Sequence, residues 1–432
     1  MLSLLYSYKQ YCQVTSQNMS QKPYHPSQKV LEKYAHVLVN FALNSGKGIK
    51  KGDVVRIVAP ESAKLLFAEL KKAVYKSGGH VIATYLPDDI GFDKYTINMT
   101  KDYFDIASDE QLTFFPEKYM KGLVDTIDHH VYVIAEANKH VLDGVDPKKI
   151  MKSGAAVKPY REWLNKKENE GKFTWTLGLY GTPAMAREAG LSEKEYWNQI
   201  IKACYLDKKD PVAEWKKLYK DLDMYMKRLN DLTKKTVKWH VQGKDADLWI
   251  GAGEKRRWMG GSGRNIPSFE LFTSPHMFQT EGWIRFSEPL YRYGNVITGI
   301  ELWFEKGRVV KVKADKNEKV LKEMIASENA DMVGEFSMTD KRFSRITKFM
   351  AETLYDENVG GKFGNTHIAL GNAYHDCYDG DPSKVTKAGW KKLGYNNSVV
   401  HTDIVSTTDR TVTAYFKDGS SQVIYSKGMY QF

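Results

Sequence analysis

Cysteine is almost missing from this chain. Cys12, Cys204 and Cys377 are the only three in 432 residues, odd in number and far apart, so they build neither a disulfide framework nor a thiolate zinc cluster. A reducing, cytoplasmic setting fits, and the N-x-S/T triplets at Asn18, Asn98 and Asn396 then carry no meaning as glycosylation sites. No run of about 18 apolar residues occurs, which argues against a membrane-spanning helix. The opening MLSLLYSYKQYC lacks a basic leader and a small-residue cleavage signal, so export is not expected. Residues 1–24 are expected to form a loosely ordered extension, with Met19 as an alternative start. The single-zinc H-E-x-x-H helix, the G-x-S-x-G elbow, the phosphate-binding P-loop and a dinucleotide fingerprint are all absent, and GGSGRN at 260–265 reads as a turn.

What is present is an ordinary globular composition with 42% hydrophobic residues, enough for a large core and long enough for two domains. The net charge of +11 invites a nucleic-acid reading, since basic surfaces release counterions on binding phosphate. The lysines are dispersed among acids, however, and the pairs Lys148-Lys149, Lys166-Lys167, Lys208-Lys209 and Lys234-Lys235 read better as solvated helix faces. No nucleic-acid partner and no membrane partner are expected.

Apolar spacing in KVLEKYAHVLVNFALN, KKGDVVRIVAP, ESAKLLFAELKKAVYKSGG and HVIATYLP predicts helix, strand, helix, strand. HHVYVIAEAN and FTWTLGLYG continue the series, so residues 25–238 read as an α/β N-terminal domain with a mainly parallel sheet, closed by a charged helical connector over residues 192–236. Ser192 with Glu195 three residues later is a capping box opening that connector. Beyond about residue 240 the pattern turns to alternating strands and Gly-containing turns, including hairpins at FEKGRVV and FKDGSSQVI. Residues 239–432 read as a mixed α+β, strand-rich C-terminal catalytic domain.

The chemistry gathers in that second half. In NNSVVHTDIVST, His401 and Asp403 sit two apart in a strand and share a face. Glu270 in NIPSFELFTSP, Glu335 in ADMVGEFSM, Glu357 in TLYDENVGG, and His367 and Tyr374 in NTHIALGNAYHD lie in apolar or glycine-rich settings. Any one of these is more simply a surface or hydrogen-bonded residue; the set of histidines and carboxylates is an inventory for a pair of hard to borderline divalent ions. HDCYDGD, residues 375–381, matches no calcium loop and reads as an exposed turn. His129 and His130 point to opposite faces of one strand and cannot share an ion.

NIPSFELFTSP, VGEFS, TLYDENVGGKFGNTHIALGNAY and NNSVVHTD, with weaker support from YAHVLVNFALNSGKGIKKGDVV and EAGLSEKEYWNQIIKACYLDKKDP, resemble the thermophilic-type metalloaminopeptidases, the aminopeptidase T and aminopeptidase S family, from about residue 28 onward. The resemblance implies that Glu270, Glu335, His367, His401 and Asp403 bind two divalent metal ions (Zn, Co, Mg or Mn), with Glu335 shared between them. It places Tyr374 at the metal centre, as a weak ligand or an oxyanion donor, and Glu357 on the glutamate of a DEN signature. It departs at VGGKFGNT, which is longer here between DEN and the histidine than in other members. It further implies peptide substrates with a free N-terminus and a homodimer. Two rival readings share parts of this pattern: a dinuclear phosphoesterase, and a non-catalytic basic protein that binds nucleic acid.

Overall fold

The computed structural model describes residues 24–432 apart from residues 90, 93, 94 and 97; residues 1–23 of the expected N-terminal extension, with Cys12, Asn18 and Met19, lie outside the described residues, and its last residue, Tyr24, donates its N–H to Glu193 at 2.7 Å. Four strands from the first half of the chain and one from the second build a five-stranded parallel sheet in the order His80–Leu86, Val54–Pro60, His129–Ile134, Thr174–Leu179, Asn265–Ile266. Runs such as VVRIVAP are apolar on both faces because helices cover both. On one face Val55, Ile57, Val131 and Val133 meet Leu31 and Tyr34 of helix Gln28–Val37 and Leu66 and Leu70 of helix Lys64–Lys76 in the main core. On the other, Ile82 and Trp175 meet Leu123 of helix Glu117–Thr126 and Leu164 of helix Lys158–Asn169.

Two details differ from the pattern reading. Lys167 is not a solvated helix lysine: its Nζ donates to the carbonyls of Val124 (2.8 Å) and Ile127 (2.6 Å) at the end of helix Glu117–Thr126, where unpaired carbonyls favour a cation. The stretch 260–265 turns as expected but ends in a strand, because Asn265 and Ile266 pair with Leu177 and Gly178 and so complete the parallel sheet.

The connector is helical. Ser192 and Glu195 close the capping box that opens helix Glu193–Ala203, and Asp210 accepts from the Ala213 N–H to start helix Pro211–Thr233. Along the long helix Trp215, Leu218, Leu222, Tyr225 and Leu229 repeat every three or four residues and are buried. Trp215 stacks on Phe41 at 6.2 Å and on Phe269 at 5.7 Å, so one indole packs against both halves of the molecule.

The second half is strand-rich. An eight-stranded antiparallel sheet has at its centre Ala246–Gly251, Thr236–Gly243 and Thr411–Phe416, and the two expected hairpins form its flanks. A four-stranded antiparallel sheet lies against it in the order Glu270–Thr273, Val333–Thr339, Asn365–Gly371, His401–Ser406. Its inward face is apolar: Leu271, Phe336, Met338, Ile368, Leu370 and Ile404 are buried in the main core. Phe336 packs at 5.7 Å from Trp258 and 5.9 Å from Trp239, a residue of the large sheet. With one face sealed this way, strict alternation turns the remaining residues to the opposite face.

One irregularity sets where they land. Val333 pairs with Leu370 and Glu335 with Ala369, so Gly334 is an extra residue that opposes nothing. A Cβ on Gly334 would stand inside van der Waals contact of the Gly371 and Asn372 carbonyl oxygens. Gly334→Ala is therefore expected to force the strands apart and cost about 1–3 kcal/mol, the usual scale for overpacking, seen in urea unfolding as a lower midpoint; an unchanged midpoint would mean the bulge tolerates a side chain.

Candidate metal centre

The polar face of the four-stranded sheet carries Glu270, Glu335, His367, His401 and Asp403. Antiparallel register places Glu335, Ala369 and Asp403 in one row, two strand spacings or roughly 10 Å from end to end. The methyl of Ala369 between them leaves the space above the sheet open. In the next row His367 stands opposite Ser337. Glu270, on the edge strand, accepts a hydrogen bond from Ser337 Oγ at 2.6 Å, which fixes its carboxylate toward the histidine.

The donor atoms converge. Nε2 of His367 lies 3.0 Å from Glu270 Oε2, 3.6 Å from Glu335 Oε1 and 3.8 Å from Asp403 Oδ1. Nε2 of His401 lies 3.5 Å from Glu335 Oε2 and 3.6 Å from Asp403 Oδ1. Glu335 thus stands between the two imidazoles, one oxygen facing each. Glu270, Glu335 and His367 form one group whose donor atoms lie within 4.8 Å of one another, and Glu335, His401 and Asp403 form a second.

Neighbouring groups set the tautomers. The Asn365 amide nitrogen donates to the carbonyls of Glu357 and Val359, both at 2.8 Å, so its oxygen is the atom 3.3 Å from His367 Nδ1 and accepts from it. His401 Nδ1 donates to the Asn372 carbonyl at 2.8 Å. Each ring therefore turns its Nε2 inward, the arrangement that metal-ligating histidines take from their outer partners.

Charge makes the cluster costly on its own. Glu270, Glu335, Glu357 and Asp403 are 4–7% exposed, and each ionised group taken out of water carries a penalty of several kcal/mol unless compensated. Two imidazoles cannot balance four carboxylates. Burial, and then the charges of Glu270 and Asp403, push Glu335 up to about 7. Burial likewise holds Glu357 well above the usual carboxylate range, helped by Asp403 and Glu270. Burial works against the charge of Asp403 and of His401, yet their mutual attraction prevails and moves them to about 2 and about 9. Nε2 of His367 is buried and has no hydrogen-bond partner among the described residues. An orphaned nitrogen amid excess negative charge, with only nitrogen and oxygen donors, fits a hard to borderline divalent cation.

Glu357 and Tyr374 come from loops at the rim. The three residues of the DEN segment divide the work. Asp356 accepts from the N–H groups of Met350 (2.7 Å) and Glu352 (2.9 Å), closing the turn into helix Thr353–Asp356. The Asn358 oxygen accepts from the Phe269 N–H at 2.7 Å and ties the segment to the strand of Glu270. Glu357 between them is held through Oε1 by the amides of Asn265 (3.1 Å) and Asn358 (3.2 Å), and no described residue bonds its Oε2. The longer VGGKFGNT segment leaves Glu357 beside the strand of His367, since the Asn365 amide nitrogen donates to the Glu357 carbonyl at 2.8 Å. Tyr374 is 39% exposed, anchored by its N–H to Ser274 Oγ at 2.9 Å, with its ring 4.9 Å from that of His401. Burial of the phenol and the nearby Glu335 and Asp403 keep it protonated.

All seven residues singled out in the sequence come together here. The partners Ser337, Asn365, Asn265 and Asn358 are not among these seven, although all four lie inside the motifs quoted above, and Asn365 also stands two residues before His367 on the same strand face. The rival groups disperse. His375 stacks on Trp390 at 3.8 Å, and burial lowers it to about 4; Asp376 pairs with Arg264. His129 bonds Thr174 (2.7 Å) and Asp53 (2.9 Å), away from His130.

Residues 27–430 match the family described as thermophilic metalloprotease (M29). The chain is 28% identical to aminopeptidase T of Thermus thermophilus over 423 residues, covering 92% of this chain and 97% of that protein. It is 27% identical to aminopeptidase AmpS of Bacillus subtilis over 431 residues, covering 94% and 99%. The solved structure of wild-type AmpT from Thermus thermophilus superposes with a TM-score of 0.78 at 25% identity, covering 94% of this chain and all of that one. With a sheet-borne cluster of buried carboxylates and imidazoles at its centre and matches along nearly its whole length, the chain belongs to the thermophilic metalloprotease family.

Proposed function

We propose that the protein is an aminopeptidase that removes the N-terminal residue of peptides at a site for two divalent ions, one held by Glu270, Glu335 and His367, the other by Glu335, His401 and Asp403. The observation that carries this reading is the position of Glu335, whose two oxygens face different histidines. Relatives named as aminopeptidases supply the substrate class. When bound, ions at such a site provide Lewis-acid activation of water and of a peptide carbonyl.

The chain's own groups provide the rest. Glu357, with Oε1 pinned and Oε2 free, takes a proton from the attacking water and hands it to the leaving amine. A carboxylate held in this place can serve both halves of that exchange. Tyr374, kept protonated beside the cluster, donates a hydrogen bond to the developing oxyanion. Such a site would take the substrate's free N-terminal amine, so an N-acetylated peptide, which lacks a basic amine, is excluded.

Purified protein should release para-nitroaniline from leucine or arginine para-nitroanilide only with added Co²⁺, Zn²⁺, Mg²⁺ or Mn²⁺, and not from the N-acetylated compounds. Equal turnover of the acetylated forms, or activity in chelator, would reject the reading. Elemental analysis should find about two ions per chain in wild type and fewer in Glu335→Gln and His401→Ala. Wild-type stoichiometry in both variants would remove these residues from the site. Asn365→Leu should weaken metal binding by about 10–100-fold, the scale for outer partners of a ligating histidine, in titration with a competing chelator. Glu357→Gln should keep the ions and lose about 10²–10⁴-fold in kcat; a change in KM alone would assign Glu357 to binding.

A further inference from the structure

A cavity of about 250 Å³ opens on the parallel sheet beneath helix Lys158–Asn169. Its walls include His130, Tyr132, Leu164, Glu168, Phe173 and Trp175. This volume is below the range for whole drug-sized ligands and suits one bulky side chain.

Register connects the cavity to the metal centre. In the parallel sheet Tyr132 pairs with Leu177, and Leu177 with Asn265; residues paired in this way point to the same face. Asn265 is the residue whose amide holds Glu357. Tyr132 therefore stands two strand spacings, roughly 10 Å, from the group that orients the candidate base. His130 and Trp175, themselves paired, form the adjoining row of that face. A second link runs through Arg264, the neighbour of Asn265. Its guanidinium bonds Glu168 at 2.7 Å and pairs with Asp376, two residues beyond Tyr374. The segment Arg264–Asn265 thus bonds a wall residue of the cavity, Glu168, on one side and a residue of the site, Glu357, on the other.

We propose that this cavity is a binding site for a bulky apolar or aromatic side chain of the substrate, downstream of the scissile bond. The assignment rests on the aminopeptidase reading for the identity of the ligand. The lining supplies the chemistry: Leu164, Phe173, Tyr132 and Trp175 offer apolar surface and ring faces, and Arg264 neutralises the Glu168 carboxylate at the wall. Two buried polar atoms of the lining are left over, Oγ1 of Thr176 and Nε2 of His130, and Arg161 and Asn165 add polar groups at the wall. Nε2 of His130 is buried without a hydrogen-bond partner among the described residues, and burial together with the neighbouring Arg56 lowers this histidine to about 4. At neutral pH it is an uncharged imidazole, suited to bond a peptide group rather than to repel or attract a formal charge.

Two variants test the site. Leu164→Trp fills the cavity, and Tyr132→Ala, at a partly exposed position, removes one wall without disturbing the core. Isothermal titration of the dipeptides Gly-Phe and Gly-Gly, which stand in for leaving fragments, is read alongside kcat/KM for Leu-Phe and Leu-Gly. Wild type should bind Gly-Phe at least about 10-fold more tightly than Gly-Gly, as one filled apolar pocket gives, and should prefer Leu-Phe in the same direction. Both contrasts should shrink in both variants while Leu-Gly turnover stays within about two-fold, a margin well under the energy of one pocket contact. Equal binding of the two dipeptides by wild type, or a contrast retained by Leu164→Trp with native circular dichroism, would overturn the proposal. If wild type cleaved neither Leu-Phe nor Leu-Gly, the aminopeptidase reading would fall instead, and the calorimetric contrast would still decide whether the cavity takes an aromatic side chain.

Discussion

Four carboxylates buried against two imidazoles on one face of a sheet set the terms for the rest of this molecule. A domain's net stability is only about 5–15 kcal/mol, and uncompensated buried charge costs several kcal/mol per group. The cluster of Glu270, Glu335, Glu357 and Asp403 is therefore tolerable only with protons or cations to offset it, and the raised Glu335 and Glu357 register the first alternative. Divalent ions offer the second. Anything that binds the folded state and not the unfolded chain adds to stability, so the site's occupants belong to the protein's thermodynamics as well as to its chemistry.

The division between strands and loops follows from this. Groups that must resist mutual repulsion come from a sheet whose other face is sealed by Phe336, Trp239 and Trp258, where alternation leaves no freedom of direction. Glu357 and Tyr374, which meet the substrate in the proposed mechanism, come from loops, but loops tied down at both ends. Asp356 closes the turn before Glu357 and Asn358 anchors the residue after it.

Much of this arrangement was legible in the sequence where a period carries the information. The β-α-β series follows from apolar spacing, and the shared face of His401 and Asp403 follows from alternation of two. Glu270 and Glu335 were legible only through their motifs, because a glutamate in an apolar strand can face water equally well; which face is sealed depends on tryptophans far away in sequence. The bond from Asn265 to Glu357 spans 92 residues and left no local trace. Neither did the extra residue at Gly334, since an unpaired position exists only once two strands have aligned. Lys167 was misread for a related reason: a lysine's stem and head look the same in sequence whether it ends in water or on another helix's carbonyls.

The fifth strand of the parallel sheet, Asn265–Ile266, is encoded after Thr236–Gly243 and Ala246–Gly251 have already opened the large antiparallel sheet. On the ribosome, where chains emerge from the N-terminus, the earlier unit cannot close its edge until part of the later one has left the exit tunnel. Maturation of the two halves is interleaved, and a fragment ending at residue 240 would emerge with an exposed strand border, the kind of surface on which chains stick to one another.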